Sequence, residues 1–437
     1  MMIIMNNYLR HFLLLALCFV GRVNMAAAET LEQAWLISST ADRTIEAAQI
    51  RVEAAEAELA ASQGTRWPTV VARASATQYN ETPAFDFSGA GLPGQLPLFD
   101  GSSQLVADAR ITLPIFTFGM ISNGVQAAES GVRAQQLRAN AHAQDVRLAV
   151  ATAYVSVLRA RSALEVANSR VRSLVSHADD VEDMFAAGAV ARNDLLAAQV
   201  SLADVQQYQL QAQNGVDISE AAYNKSLGRV LTDTVSLDTE LPGLDPRLEP
   251  DSLTALTATA LENRAELAGL QSAAESIDSQ AQSTRARSRP QFAIIGGYTA
   301  MENNFLNRED FWSIGLGMQW DIFDSDRSRE RANALFLQST ALYRDYQELQ
   351  SVVEFQVRST WLRFNESNAR IKLTERAIEQ ADENLRVTRD RYRNGEGTNT
   401  EVLNAEGLRT ISRSNYDNAQ YDAALARYRL ARATGLL

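Results

Sequence analysis

Cysteine is nearly absent from this 437-residue chain: there is one, Cys18, alongside only three histidines. His11 and Cys18 both fall in an N-terminal stretch that reads as a removable leader. The working chain then has no thiol, no disulfide and no His/Cys cluster of the kind that holds zinc. Basic residues are outnumbered, 41 against 53 acidic ones, for a net charge of -12. Nucleic-acid binding needs the opposite balance, so no nucleic-acid partner is expected. Aromatics make up 7% of the chain and prolines number nine. Apart from the leader, no apolar run approaches the roughly 18 residues of a membrane-spanning helix. Thiol chemistry, zinc chemistry and a helical membrane bundle are thereby set aside. We expect no enzyme, no cofactor and no resident metal.

What is present is 46% hydrophobic residues, with Ala, Gln and Leu recurring. That balance favours helix and is too apolar for disorder. The leader, residues 1–28, has a basic flank at Arg10, an apolar run over 12–20 and small residues at Ala26-Ala27-Ala28. This is the pattern of a secretory signal peptide. Leu17 before Cys18 does not fit a lipoprotein signal.

After the leader, one unit is written twice. A single constant shift carries Gly188 onto Gly395, Asp194 onto Glu401, Pro114-Ile115-Phe116 onto Asp321-Ile322-Phe323, and Gly228 onto Gly435. Arg66-Trp67-Pro68 matches Ser288-Arg289-Pro290 at a larger shift, which places an insertion in the Gly/Pro-rich stretch 83–101. Repeat 1 spans 29–228 and reads as helix, strands about 69–79 and 105–116, long helix, tip turn near Gly188, helix. Residues 229–252 form a Pro-rich link. Repeat 2 spans 253–437, with strands about 291–299 and 311–323 and a tip turn near Gly395.

The long helices carry a heptad. Val150, Val157, Leu164, Val171, Ala178 and Phe185 recur every seven residues, and so do Val357, Phe364, Ile371, Ile378, Leu385 and Tyr392. A seven-residue apolar repeat makes a supercoiled seam between packed helices. The first long helix would run about 100 Å at 1.5 Å per residue. The opening and post-turn helices, each about half as long, would stack end to end and pair with it.

The strand segments alternate instead. Trp312, Ile314, Leu316, Met318 and Trp320 share one face, and Ser313, Gly315, Gly317 and Gln319 the other. Period-2 alternation fits an ordinary half-buried sheet, or an outer-membrane barrel with lipid outside and water within. Four such segments on a chain with a leader favour the barrel. Four strands cannot close one, so the chain would oligomerise. Two copies would give eight strands, filled by side chains; three would give twelve and a channel.

At this point the sequence resembles the TolC family of outer-membrane export ducts. The features that carry the resemblance are Thr30-Leu31-Glu32-Gln33-Ala34, Pro68 and Pro290 before strands, Pro114-Ile115-Phe116 and Asp321-Ile322-Phe323 before the long helices, and Tyr392-x-x-Gly395 followed by Glu401-Val402-Leu403-Asn404-Ala405. The resemblance implies an α+β membrane protein: a homotrimer whose 12-stranded β-barrel, four strands per chain, continues into a 12-helix periplasmic α-barrel. It implies a periplasmic adaptor and an inner-membrane ABC or proton-driven pump as partners. It also implies a gated periplasmic aperture, with Asp194 and Tyr392 as links that hold it shut and Glu401 ringing it. Asn404 stands where the family often has a second acid. The family's gate Arg falls on Gly397, a departure for which Arg192, Arg391 or Arg393 are the available substitutes. The competing expectation is a periplasmic coiled-coil structural or adaptor protein without a barrel. The choice between protein and drug cargo stays open.

Overall fold

The structure, a computed structural model, describes residues 28–86, 89, 94–241, 252–304 and 306–437. Nearly all of the expected leader, and the expected link from residue 242 to 251, lie outside the described residues. The elements in chain order are α1 (Leu31–Ala41), α2 (Arg43–Gly64), β1 (Thr69–Gln78), β2 (Ala84–Asp86), β3 (Gln95–Pro97), β4 (Ser103–Phe116), α3 (Met120–Ala186), α4 (Arg192–Ser226), α5 (Leu253–Asn263), α6 (Ala265–Ala286), β5 (Gln291–Met301), β6 (Asp310–Gln319), α7 (Arg327–Arg393) and α8 (Asn399–Thr434). Two compact units form. One holds residues 44–143 and 257–356, the other 144–256 and 357–437 with the first turns of the chain.

Helices start and stop for local reasons. Thr30 and Gln33 form a reciprocal capping box at α1. The Asp324 carboxylate accepts the Ser328 backbone N–H at 3.0 Å, opening α7. Both 67-residue helices, α3 and α7, stop in the same way. Gly188 and Gly395 take positive φ, 74° and 75°. The next residue's N–H then reaches back to the carbonyl of Met184 or Arg391, at 2.8 Å in each case. Glycine adopts this left-handed conformation without the Cβ penalty.

The opening helix is not continuous. Asp42 is extended (φ -77°, ψ 114°) and separates α1 from α2. Ser38, Ser39 and Thr40 bond back to the carbonyls of Trp35, Leu36 and Ile37. Hydroxyls that occupy helix carbonyls in this way weaken the next turn. Arg264 makes the same break between α5 and α6, with φ -70° and ψ 110°.

The sheet is antiparallel in the order β1-β4-β5-β6. β6 ends at Gln319, short of the expected 323. Its partner β5 begins at Gln291, opposite Gln319, and is preceded by Pro290, which has no N–H to donate. The alternation of residues 320–323 therefore continues in sequence without a strand to pair. The insertion holds a short β2–β3 ribbon, which periodicity did not reveal. The loops after β3 and β5 meet: Asn304 donates to the Leu98 carbonyl and to the Asp100 carboxylate, both at 2.8 Å.

The core of the helical unit lies along the expected seam. Val150, Val157, Val357, Leu385 and Tyr392 are all buried. Phe185, at the end of the seam, is exposed.

Candidate functional site

Two regions concentrate the features that could act. One is the pair of turns where α3 meets α4 and α7 meets α8. Tyr392 is buried against Ala178, Val181, Ala198 and Val402, so it packs α7 onto α3, α4 and α8. Among the described residues its hydroxyl has no hydrogen-bond partner. Burial pushes its pKa up, helped by the negative charges of Asp194 and Asp180. Asp194 sits in the first turn of α4, where a carboxylate complements the helix dipole. Its carboxylate takes a long bond from Asn193, 3.4 Å, and its backbone carbonyl accepts from Asn399 at 2.9 Å. Asp194 and Tyr392 are thus neighbours in this chain without a hydrogen bond between them.

Glu401 occupies the first turn of α8, capped by Thr398. It faces Arg391 at 3.6 Å, a loose and solvent-exposed pairing. Arg391 also donates to the Glu396 carbonyl at 2.9 Å. Asn404 is exposed, one turn along. A Cβ on Gly397 would stand 3.2 Å from the Tyr392 nitrogen and 3.3 Å from a Glu401 oxygen. Any side chain there would be a tight fit, asking the Tyr392 backbone or the Glu401 carboxylate to give by a few tenths of an ångström, which favours glycine. Arg393 is one cation that ties the two hairpins together near the turns, bonded to Asp180 at 2.8 Å.

Below the turns lies a polar network that sequence reasoning missed. His177, Asn399 and Glu406 are buried. Asn399 donates its amide to Asp194, so its carbonyl oxygen accepts from His177 Nε2 at 2.7 Å, which fixes the imidazole tautomer. Burial holds the His177 pKa below the usual value, and the Arg389 charge works in the same direction. Glu406 accepts from Ser173 at 2.7 Å and from Arg389 in a very short bond. Arg389 also donates to the Ser173 carbonyl at 3.1 Å. His177 stands alone in sequence, and Glu406 reads as one more helix-surface acid. No spacing marks their partners, which come from other helices.

The second region is the sheet. Residues paired across antiparallel strands share a face. The register pairs Val70 with Ile111, Ile294 with Leu316, Phe292 with Met318 and Tyr298 with Trp312. It also joins Ile111 to Gly296 and Ala109 to Tyr298. One face is consequently apolar across all four strands, and it includes Trp312, Ile314, Leu316 and Met318. These four and Trp320, just beyond β6, are all exposed; Leu316 is 72% exposed. The opposite face carries Arg73 paired with Asp108, then Arg110, Thr112, Thr299 and Ser313. Among the described residues the outer edges of β1 and β6 pair with nothing. Also among the described residues, no helix is long and apolar enough to cross a membrane.

A family model described as "Outer membrane efflux protein" matches residues 39–229 and 256–436. The chain belongs to this family. Alkaline protease secretion protein AprF of Pseudomonas aeruginosa is 22% identical over 388 residues, covering 86% of this chain and 75% of that one. Outer membrane protein TolC of Vibrio cholerae is 23% identical, covering 71% and 72%. Among solved structures, the outer-membrane channel OprN superposes with a TM-score of 0.80 at 18% identity, covering 93% and 90%. VceC of Vibrio cholerae gives 0.80 at 18%, covering 93% and 96%. The chain is therefore an outer-membrane protein that extends into the periplasm, of the TolC class of efflux and secretion channels. A periplasmic coiled-coil protein without a barrel is not favoured by these matches.

Proposed function

We propose that three copies of this chain form a passive export duct. The observation that carries the reading is the four-stranded sheet, apolar across one face and unpaired at both edges. In lipid an open edge leaves backbone N–H and C=O groups without partners, so the sheet must close with others. Three sheets give twelve strands, spaced about 4.8 Å and tilted about 40°, for a backbone radius of roughly 12 Å. The helical unit would supply four helical columns per chain to a twelve-column periplasmic tunnel. The equal lengths of α3 and α7, and their identical stops, support reading each chain as two repeats.

The duct does no chemistry of its own, so a periplasmic adaptor and an inner-membrane ABC or proton-driven transporter would power it. The likeness to a protein named for alkaline protease secretion supports a polypeptide cargo. The turns of the two hairpins, at Gly188 and Gly395, would form the periplasmic aperture. Glu401 would ring it with negative charge, Asn404 would line it, and Asp194 and Tyr392 would latch it. Because the Tyr392 hydroxyl is unpartnered within one chain, it is free to bond to Asp194 as the aperture tightens. The test is conductance. Protein extracted from the outer membrane should run as a heat-sensitive trimer and open discrete channels in planar bilayers. A monomer that opens none would overturn the reading.

A further inference from the structure

The end of the sheet nearest the long helices carries a cation that the duct reading does not use. Phe116 pairs with Phe292, and Phe292 with Met318, so Phe116 stands on the apolar face. Its ring meets Phe118 edge-on, with centroids 4.6 Å apart. The Arg289 guanidinium lies over Phe118, 6.0 Å from its centroid. Beside it, the Trp320 indole N–H donates to the Ser288 carbonyl at 3.1 Å. Arg289 is exposed, and no carboxylate among the described residues pairs with it.

An aromatic ring, not an acid, lies against this exposed arginine, so its charge is not offset by a carboxylate. It does so at the margin of an apolar surface, the depth at which Trp, Tyr and basic residues meet headgroups. The guanidinium fork matches two oxygens of a phosphate. We propose that Arg289, seated over Phe118 and beside Trp320, binds the phosphate of an anionic phospholipid headgroup in the leaflet facing the periplasm, while the acyl chains lie along Phe292 and Met318. This rests on the reading that the apolar face meets lipid. In the other half of the chain the matching position is Trp67, 71% exposed, a neutral interfacial anchor. Among the described residues each chain therefore has one such aromatic-backed cationic site, and the trimer would have three.

The protein is reconstituted into nanodiscs of phosphatidylethanolamine and phosphatidylglycerol, released in mild detergent, and its retained lipid counted by native mass spectrometry. Wild type should keep up to three phosphatidylglycerol molecules per trimer. Arg289→Gln should keep about fivefold fewer, as for loss of one charge-assisted contact. Arg289→Lys should fall between them, and Arg329→Gln, which removes another exposed cation, should match wild type. Retention unchanged in Arg289→Gln would overturn the proposal. So would complete displacement of the lipid by millimolar inorganic phosphate, which would make this a site for any free phosphate. Failure of the wild-type trimer to enter nanodiscs would overturn the lipid-facing reading itself, and is seen before any lipid is counted.

Discussion

Glu406 has only 1% of its surface exposed and is held by Arg389 and Ser173. Removing one member of a desolvated pair leaves the other's charge poorly solvated. Glu406→Ala should destabilise the packing beside the turns by about 2 kcal/mol or more, since hydrogen bonds to charged groups run to roughly 1.5–3. Limited proteolysis should then cut near the turns sooner than in wild type. His177 gives a pH dependence of defined sign. Its folded pKa lies below that of the unfolded chain, chiefly through burial, with Arg389 pushing the same way and Glu406, Asp180 and the Asn399 bond opposing. The unfolded state therefore binds more protons as pH falls through about 6.5, and stability drops. Above that range the group contributes nothing pH-dependent. Hydrogen exchange in residues 173–181 and 399–406 should speed up between pH 7.5 and 5.5 beyond the intrinsic pH effect, and His177→Gln should flatten that change. Neither residue was legible beforehand. His177 meets Asn399 across 222 positions and Ser173 meets Glu406 across 233, and only folding brings such partners together. The glycine turns leave a local mark in the sequence, and the family resemblance pointed to Asp194, Tyr392 and Glu401 beside them; their gate role is a proposal.

At the level of elements the sheet makes the sharper prediction. A Lys near the bilayer midplane costs roughly 2–4 kcal/mol on a lipid-facing position and far less toward the lumen. Leu316→Lys should impair trimer assembly, read as loss of the heat-sensitive band. Gly315 is the proper control, because nothing lies within 4 Å of a Cβ built there. Gly317 is a less clean control, since a Cβ would sit 2.5 Å from Ile295 Cδ1 and that side chain would have to move. Equal effects of Leu316→Lys and Gly315→Lys would contradict the assigned faces. The alternation of β6 was plain in sequence because every second residue is large and apolar. Its end was not, because Ile322 and Phe323 continue the greasy pattern where β5 no longer offers a partner. The breaks at Asp42 and Arg264 were hidden for a similar reason. Apolar patterning reports which side of a helix is buried and says nothing of one residue that leaves helical geometry.

For the whole molecule, length and heptad gave the long helices, whereas copy number rests on the argument from unpaired edges. Three copies of Glu401 around one axis would gather negative potential in a narrow opening and favour cations, most strongly at low salt. Glu401→Gln should lower cation selectivity in planar bilayers with conductance little changed, whereas Asp194→Ala with Tyr392→Phe should raise conductance and keep selectivity. The most direct test of closure uses the two open edges. In a background lacking Cys18, single cysteines are scanned along β1 at Val71, Arg73 and Ser75, and along β6 at Ser313 and Gly315, all on the polar face. Each pairwise combination is oxidised in isolated outer membranes and run without reductant. The account predicts that at least one β1–β6 combination locks three chains, and no more, into a single species that reductant returns to monomer. Cross-linked products that stop at two chains, or the absence of any β1–β6 bond across the whole scan, would contradict it.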